Sequence, residues 1–347
     1  MLTKVSPAVE QVHRHRNAII NGDFDVWQRG TSQTNTGYSS DDRWRNVILG
    51  STHLVTRETF ALGQTDVPNN PKYYSRTVAT SVAASTNYVT KRQKIEYVKT
   101  FADETITASF WAKADSSKNI ATEFRQDFGT GGSPSASVLS IGVTTHTLTT
   151  SWQKFTVTTT IPSISGKTLG TNEEGDFQFM FWFEAGSDFD ARTNSLGQQS
   201  GTFDIAQVQV EKGNQATEFE YRSIGEELAL CQRYFEKTYS MDVPSGTITD
   251  DGIIEFRQDR ASSTDVNSNH PTADIPFVVT KRDTPTMIAY NNVNGDSGTI
   301  RDTSAGANRG VNSFNGVGAN GVGAIDTNNS YDSNTRYTMH WTADAEI

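Results

Sequence analysis

The residue types best suited to recognising a ligand sit in one alternating run, Asp176–Glu184 (DFQFMFWFE). On a strand, Phe177, Phe179, Phe181 and Phe183 share one face, and Gln178, Met180, Trp182 and Glu184 share the other. Four phenylalanines on one face read as core, which turns Gln178, Trp182 and Glu184 toward solvent or a groove. That combination suits a sugar: an aromatic ring stacks on its C–H face while amides, arginines and carboxylates bond its hydroxyls. Gln93, Trp111 and Arg125 lie on other strand-like segments that can join the same sheet. The competing reading makes Trp182 sandwich core and leaves the polar residues facing solvent.

Catalytic arrangements do not emerge. There is no G-x-S-x-G, no H-E-x-x-H and no phosphate-binding loop. The six histidines are scattered, and His146 and His340 sit in strand-like segments with no partner assignable from sequence. With 40 Asp and Glu, some pair falls at glycosidase separation by chance alone. Asp188-Phe189-Asp190 is followed by neither the glycine nor the distal glutamate of an EF-hand. The expectation is a binding or structural protein, not an enzyme.

A net charge of −10 argues against nucleic acid and anionic membranes as partners. The two basic runs, His13–Arg16 and Lys91–Lys94, read as solvated charge. Cys231 is the sole cysteine, so an intrachain disulfide is ruled out, and a buried, inert thiol is expected. The first sixteen residues lack the apolar core of a signal peptide, and no stretch reaches membrane-spanning length. The chain is therefore expected to be made in a cytoplasm and to leave by lysis or within a particle.

The elements that must position these residues are nearly all strands. Short β-branched or alternating segments recur from Ile19 onward, separated by turn pairs such as Asn21-Gly22. Thr105–Lys113 alternates Ile106, Ala108 and Phe110 against Thr107, Ser109 and Trp111, and Ile120–Phe128 is expected to pair with it. One helix interrupts the pattern. Ser223 and Glu226 have capping-box spacing, and Ile224, Leu228, Cys231 and Phe235 recur on one side. Leu228, Cys231 and Phe235 are the candidate oligomerisation residues; the alternative packs them on their own sandwich. The segments give an arm (1–18), an antiparallel jelly-roll sandwich (19–222), a linker helix (223–240) and a smaller C-terminal β-sandwich (241–347). Within the last, the glycine-rich run 304–324 reads as a loop or as tightly packed strand edges.

Several ordered motifs also carry a resemblance. NGDFDVWQRGTS with DDRW, ITASFWAKA, RQDFGTGGSPSA, SWQKFTVTTTIP and FDIAQVQVEKGNQATEFEYRSIGEELALCQRYF resemble segments of bacteriophage tail-fibre and related virion proteins, over about residues 17–237. The first part is also similar to carbohydrate-binding-module jelly rolls. The resemblance implies a homotrimeric virion appendage without catalysis, made in the host bacterial cytoplasm. Its implied partners are other virion proteins at the tail, baseplate or head vertex, and a host surface polysaccharide. No cofactor is required; a structural Ca2+ is the candidate ion, on Asp23, Asp25 and Asp204, where related jelly rolls hold one. The alternatives are a purely structural decoration or collar protein and a polysaccharide-degrading tailspike, though the regular short repeats of a β-helix spike are missing.

Overall fold

The computed structural model describes residues 16–172, 175–258, 274–327 and 335–347. Most of the expected arm, including most of the His13–Arg16 run, lies outside the described residues.

Eleven strands build the first unit. They are β1 (Ser32–Gln33), β2 (Trp44–Leu49), β3 (Thr52–Thr59), β4 (Tyr73–Thr80), β5 (Tyr88–Glu96), β6 (Thr105–Ala114), β7 (Lys118–Asp127), β8 (Val138–Leu148), β9 (Gln153–Thr160), β10 (Asp176–Ala185) and β11 (Gly201–Lys212). A one-turn helix, α1 (Asp190–Thr193), falls between β10 and β11. The strands form a six-stranded sheet in the order β1-β3-β4-β11-β6-β9 and a five-stranded sheet in the order β2-β5-β10-β7-β8. All pairs in both sheets are antiparallel, and the chain crosses repeatedly from one sheet to the other: this is the jelly-roll sandwich.

The sequence alternation sets which faces meet. Phe177, Phe179, Phe181 and Phe183 are fully buried between the sheets, against Phe110, Phe124 and Ile205. Ile106, Ala108, Phe110 and Ala112 enter the same core from β6. At the first turn, Asn21 takes φ 57°. Gly22 packs so tightly on β11 that a Cβ there would stand 2.2 Å from the Val208 carbonyl oxygen, which only glycine tolerates.

Two sequence expectations change here. β7 does not pair with β6. The turn at Asp115-Ser116-Ser117 carries the chain over to the other sheet, where β7 lies between β8 and β10. The second face of β10 is also closed: Gln178, Met180, Trp182 and Glu184 are each at most 2% exposed. The connection to β11, residues 186–197, folds across that face, and Phe189 and Leu196 pack on Met180 and Trp182.

The helix follows as α2 (Ile224–Gln232), with its capping box formed: Ser223 Oγ accepts from Glu226 N–H at 3.4 Å, and Glu226 Oε2 accepts from Ser223 N–H at 3.0 Å. It ends before Phe235, which opens β12 (Phe235–Lys237) and is not helical. The remaining strands are β13 (Ile254–Gln258), β14 (Ile275–Pro276), β15 (Thr286–Tyr290), β16 (Thr299–Asp302), β17 (Ala307–Asn315), β18 (Gly321–Val322), β19 (Ala324–Thr327) and β20 (Thr335–Asp344). The glycine-rich run is thus partly the nine-residue strand β17. β20 is the axis of this second unit, pairing with β12, β13, β15 and β16. Its own core holds Ile300, Ile325, Tyr337, Met339 and Trp341.

The two units are joined by buried charge. The Arg43 guanidinium, 1% exposed, pairs with Glu346 and lies 3.3 Å from the Tyr234 ring centroid. Arg29 meets Asp42 at 3.1 Å and Asp344 and Glu346 at 3.2 Å, over the Phe235 ring. Burial pushes the Asp42 carboxyl up to about 6, although Arg29 opposes this.

Candidate functional site

The outer face of the six-stranded sheet carries the side chains that a polar ring can use. Because Ile106 to Ala112 face inward, Ser109, Trp111 and Lys113 of β6 face outward. Pairing then sets Lys154 of β9 opposite Trp111, and Asp204 of β11 opposite Lys113. Trp111 is half-buried and lines a cavity of about 120 Å3 with Ser109, Lys154, Gln207, Pro68 and Asn69. Glu218 and Phe219 complete its lining. This is well below the ~300–1,000 Å3 of a drug-sized site.

Backbone conformation around this cavity is unusual. β11 has a bulge between Ala206 and Gln209, and Gln207 within it takes φ 46°. Asn69 and Asn70 on the covering loop take φ 63° and 53°. Left-handed backbone at residues other than glycine costs about 1–3 kcal/mol each and clusters where a site is held in shape. The Gln207 amide fixes the loop by donating to the Pro68 carbonyl at 2.8 Å. Beside the cavity, Phe60, Tyr74 and Trp152 form an aromatic triad with centroids 4.7–5.2 Å apart. Lys113 Nζ lies 5.2 Å from the Trp152 centroid.

The other expected ligand residues are not gathered here. Gln93 is 1% exposed, and its amide exchanges two 2.7 Å hydrogen bonds with the Ile20 backbone, so it holds the N-terminal segment and faces no ligand. Trp182 is 1% exposed, donates to Glu123 at 3.2 Å and is capped by Arg192 and Phe189. Glu184 is fully buried and accepts from Ser51, Ser81 and Gln198. Gln178 and Arg125 share the outer face of the five-stranded sheet, across the sandwich from Trp111. Sequence reasoning missed Lys154, Gln207, Phe60, Tyr74 and Trp152. Only the β6–β9 register brings Lys154 to Trp111, and only the loop fold brings Phe60 to Trp152.

The expected metal set does not assemble. Arg76 engages both oxygens of Asp204 at 2.8 and 2.9 Å, and Lys113 stands 3.7 Å away, so this carboxylate is already neutralised. Among the described residues, no three His, Cys, Asp or Glu side chains are arranged to hold a metal ion. Asp23 and Asp25 do leave buried Oδ1 atoms without a hydrogen-bond partner. Burial raises the Asp23 carboxyl well above the usual range, reinforced by Asp25 and Glu227. Burial also raises Asp25 and Glu227. These residues do not fit a calcium site as expected; they form a proton-loving acidic cluster.

The oligomerisation residues also separate. Leu228 is half-buried, Cys231 is 1% exposed, and Phe235 is 6% exposed under Arg29. The last two are interior to this chain. Burial pushes the Cys231 thiol well above its ordinary value, as expected of an inert sulfur.

No protein-family model and no curated protein matches the chain. Among solved structures it is similar to a family 4 carbohydrate-binding module, at 18% identity over 56% of this chain and 98% of that one, with a TM-score of 0.32. It is also similar to a family 61 module in complex with β-1,4-galactotriose, at 12% identity over 57% and 99%, TM-score 0.32. A third is the enzymatically active domain of bacteriophage CBA120 tailspike protein 4, at 10% identity over 57% of this chain and 22% of that one, TM-score 0.33. Likenesses this remote carry no weight on ligand or activity.

Proposed function

We propose that the chain is a non-enzymatic glycan-binding protein of a phage-like particle, attaching the particle to host surface polysaccharide. The observation that carries the glycan part is the Trp111 cavity: an aromatic floor and a rim of Ser109, Lys154 and Gln207. Support for the particle comes from the ordered motifs that resemble tail-fibre segments.

The test is a glycan array with purified protein, read with wild type and Trp111→Ala. Removing a stacking tryptophan is expected to weaken the best glycan about 30-fold, the worth of ~2 kcal/mol. Equal binding by both proteins would remove the cavity from the reading. Incubation with the same polysaccharide is expected to release no reducing ends, and sustained release would make the protein an enzyme.

One observation favours an assembly role for the second unit. An open groove of about 490 Å3 beside β15 and β17 is lined by Met287, Ile288, Val311, Phe314 and Val317. Ser297, Asn312 and Ser313 line it as well, and such a mixed surface suits packing against further copies or other virion proteins, with a homotrimer as the proposed assembly.

A further inference from the structure

The aromatic interior of the jelly roll holds a charged pair. The sequence expectation of solvated charge fails at Lys91, which is fully buried. The register sets it on the inner face of the five-stranded sheet, between Asn46 of β2 and Phe181 of β10. Its Nζ lies 5.8 Å from the Phe24 ring centroid and 6.0 Å from that of Trp44. Asp41, on the loop before β2, is 1% exposed and pairs with it.

An ion pair withdrawn this far from water is costly, because desolvating both charges offsets much of their attraction. Burial lowers the proton affinity of Lys91, against the pull of Asp41. Moving one proton across their shared hydrogen bond removes both charges. It leaves a neutral amine against a neutral carboxylic acid, and a desolvated, unprotonated lysine is a nucleophile.

Asp41 is held as an acyl group would be. Its Oδ1 accepts from Ser40 Oγ and from Asn46 Nδ2, both at 2.9 Å. Its Oδ2, the oxygen that meets Lys91, also accepts from Ser75 Oγ at 3.0 Å. The two donors on Oδ1 stabilise the negative charge that grows there when an amine adds to Cγ. His53 of β3, 4% exposed, belongs to the same interior. Its Nε2 donates to the Asn35 carbonyl at 3.3 Å, which leaves the lone pair on Nδ1, a buried atom without a hydrogen-bond partner. Burial lowers its proton affinity, and the charges of Lys91 and Asp41 both act on its ring.

We propose that Lys91 and Asp41 condense to an intramolecular isopeptide bond. The Nζ–Cγ bond forms, the Cγ–Oδ2 bond breaks, and Oδ2 leaves as water with two protons of the Lys91 ammonium. The first proton moves from Nζ to Oδ2 across the shared hydrogen bond. The second passes through His53 Nδ1 to the leaving hydroxyl. The balance is closed: one ammonium and one carboxylate give one amide and one water, with no oxidant or cofactor. The fold supplies the rate by holding amine and acyl group in contact, which turns a bimolecular step into an intramolecular one. The product staples the loop before β2 to β5, across 50 positions of sequence. With a single cysteine the chain forms no intrachain disulfide, and this staple needs no oxidising compartment.

The experiment is mass spectrometry of the purified full chain under denaturing conditions, after prolonged incubation at neutral pH, followed by peptide mapping. Wild type is expected to be one water lighter than its sequence mass and to yield a branched peptide joining the segments around Asp41 and Lys91. Lys91→Arg keeps the positive charge but lacks the amine, and is expected at its full sequence mass. His53→Gln is expected to condense at least tenfold more slowly than wild type. Because the wild-type mass and its branched peptide decide the matter, a variant that folds poorly does not obscure the result. Wild type at its full sequence mass overturns the proposal. So does the same loss of water in Lys91→Arg, which would mark cyclisation of an aspartate onto its own backbone. Condensation of His53→Gln at the wild-type rate overturns the relay through Nδ1.

Discussion

His146 shows how one side chain sets a pH limit. It is 5% exposed, sits against the Phe110 and Phe155 rings and shares a 3.0 Å hydrogen bond with Thr122 Oγ1. Burial lowers it from 6.5 to about 4. Between those values the unfolded chain takes the proton and the folded chain does not, so stability falls as pH drops from 6.5 toward 4, by about 3 kcal/mol over the whole window. Urea unfolding of wild type and His146→Gln across that range is expected to show the slope in wild type and its loss in the variant. Asp23 has the opposite sign. Its raised carboxyl holds a proton more tightly when folded, so its burial is tolerated in acid and costs stability as pH rises through the folded value. Asp23→Asn is expected to raise the melting temperature at neutral pH and to lose that advantage near the ordinary carboxylate range. Melting that drops in a chelator, in wild type but not in Asp23→Asn, would instead restore a bound cation.

At the scale of elements, helix α2 and the loop before β2 hold the two units together. Arg43→Ala leaves Glu346 buried without its closest cation, and is expected to cost about 3–5 kcal/mol. Denaturant melts should then resolve two transitions where the wild type shows one. The helix itself offers Leu228, half-buried, and Ile224, 46% exposed, to an outside partner. Leu228→Asp is expected to shift the proposed trimer to monomer by light scattering; a persistent trimer would move the contact to the groove beside β15. Much of this architecture was legible. The capping box gave the start of α2, and period two gave the phenylalanine face of β10. What stayed hidden depended on contacts distant in sequence. Nothing within DFQFMFWFE says that residues 186–197 will fold over Trp182. Nothing in ITASFWAKA says that β9 will bring Lys154 to Trp111. The closing position of Phe235 was misread because the apolar spacing of Ile224, Leu228 and Cys231 continues to it, past the point where Arg233 ends the helix.

The whole molecule is two β units with different tasks in the proposed reading, one facing glycan and one facing the particle. Their order of formation follows from strand β20. Its partners β12, β13, β15 and β16 all precede it, and β12 waits for 109 further residues before Asp344 pairs with Phe235. At 5–20 residues per second, that interval is roughly 5–20 s of synthesis. The jelly roll can close on the ribosome during this time, since its strands end at Lys212. The second unit cannot, and its strand edges stay bare until residues 335–344 emerge. A chain cut short before that point would carry a finished jelly roll on a second unit whose strand edges are still bare. The same late strand delivers Asp344 and, just after it, Glu346 to Arg29 and Arg43, so the junction between the units locks only on chains that have passed this checkpoint of translation.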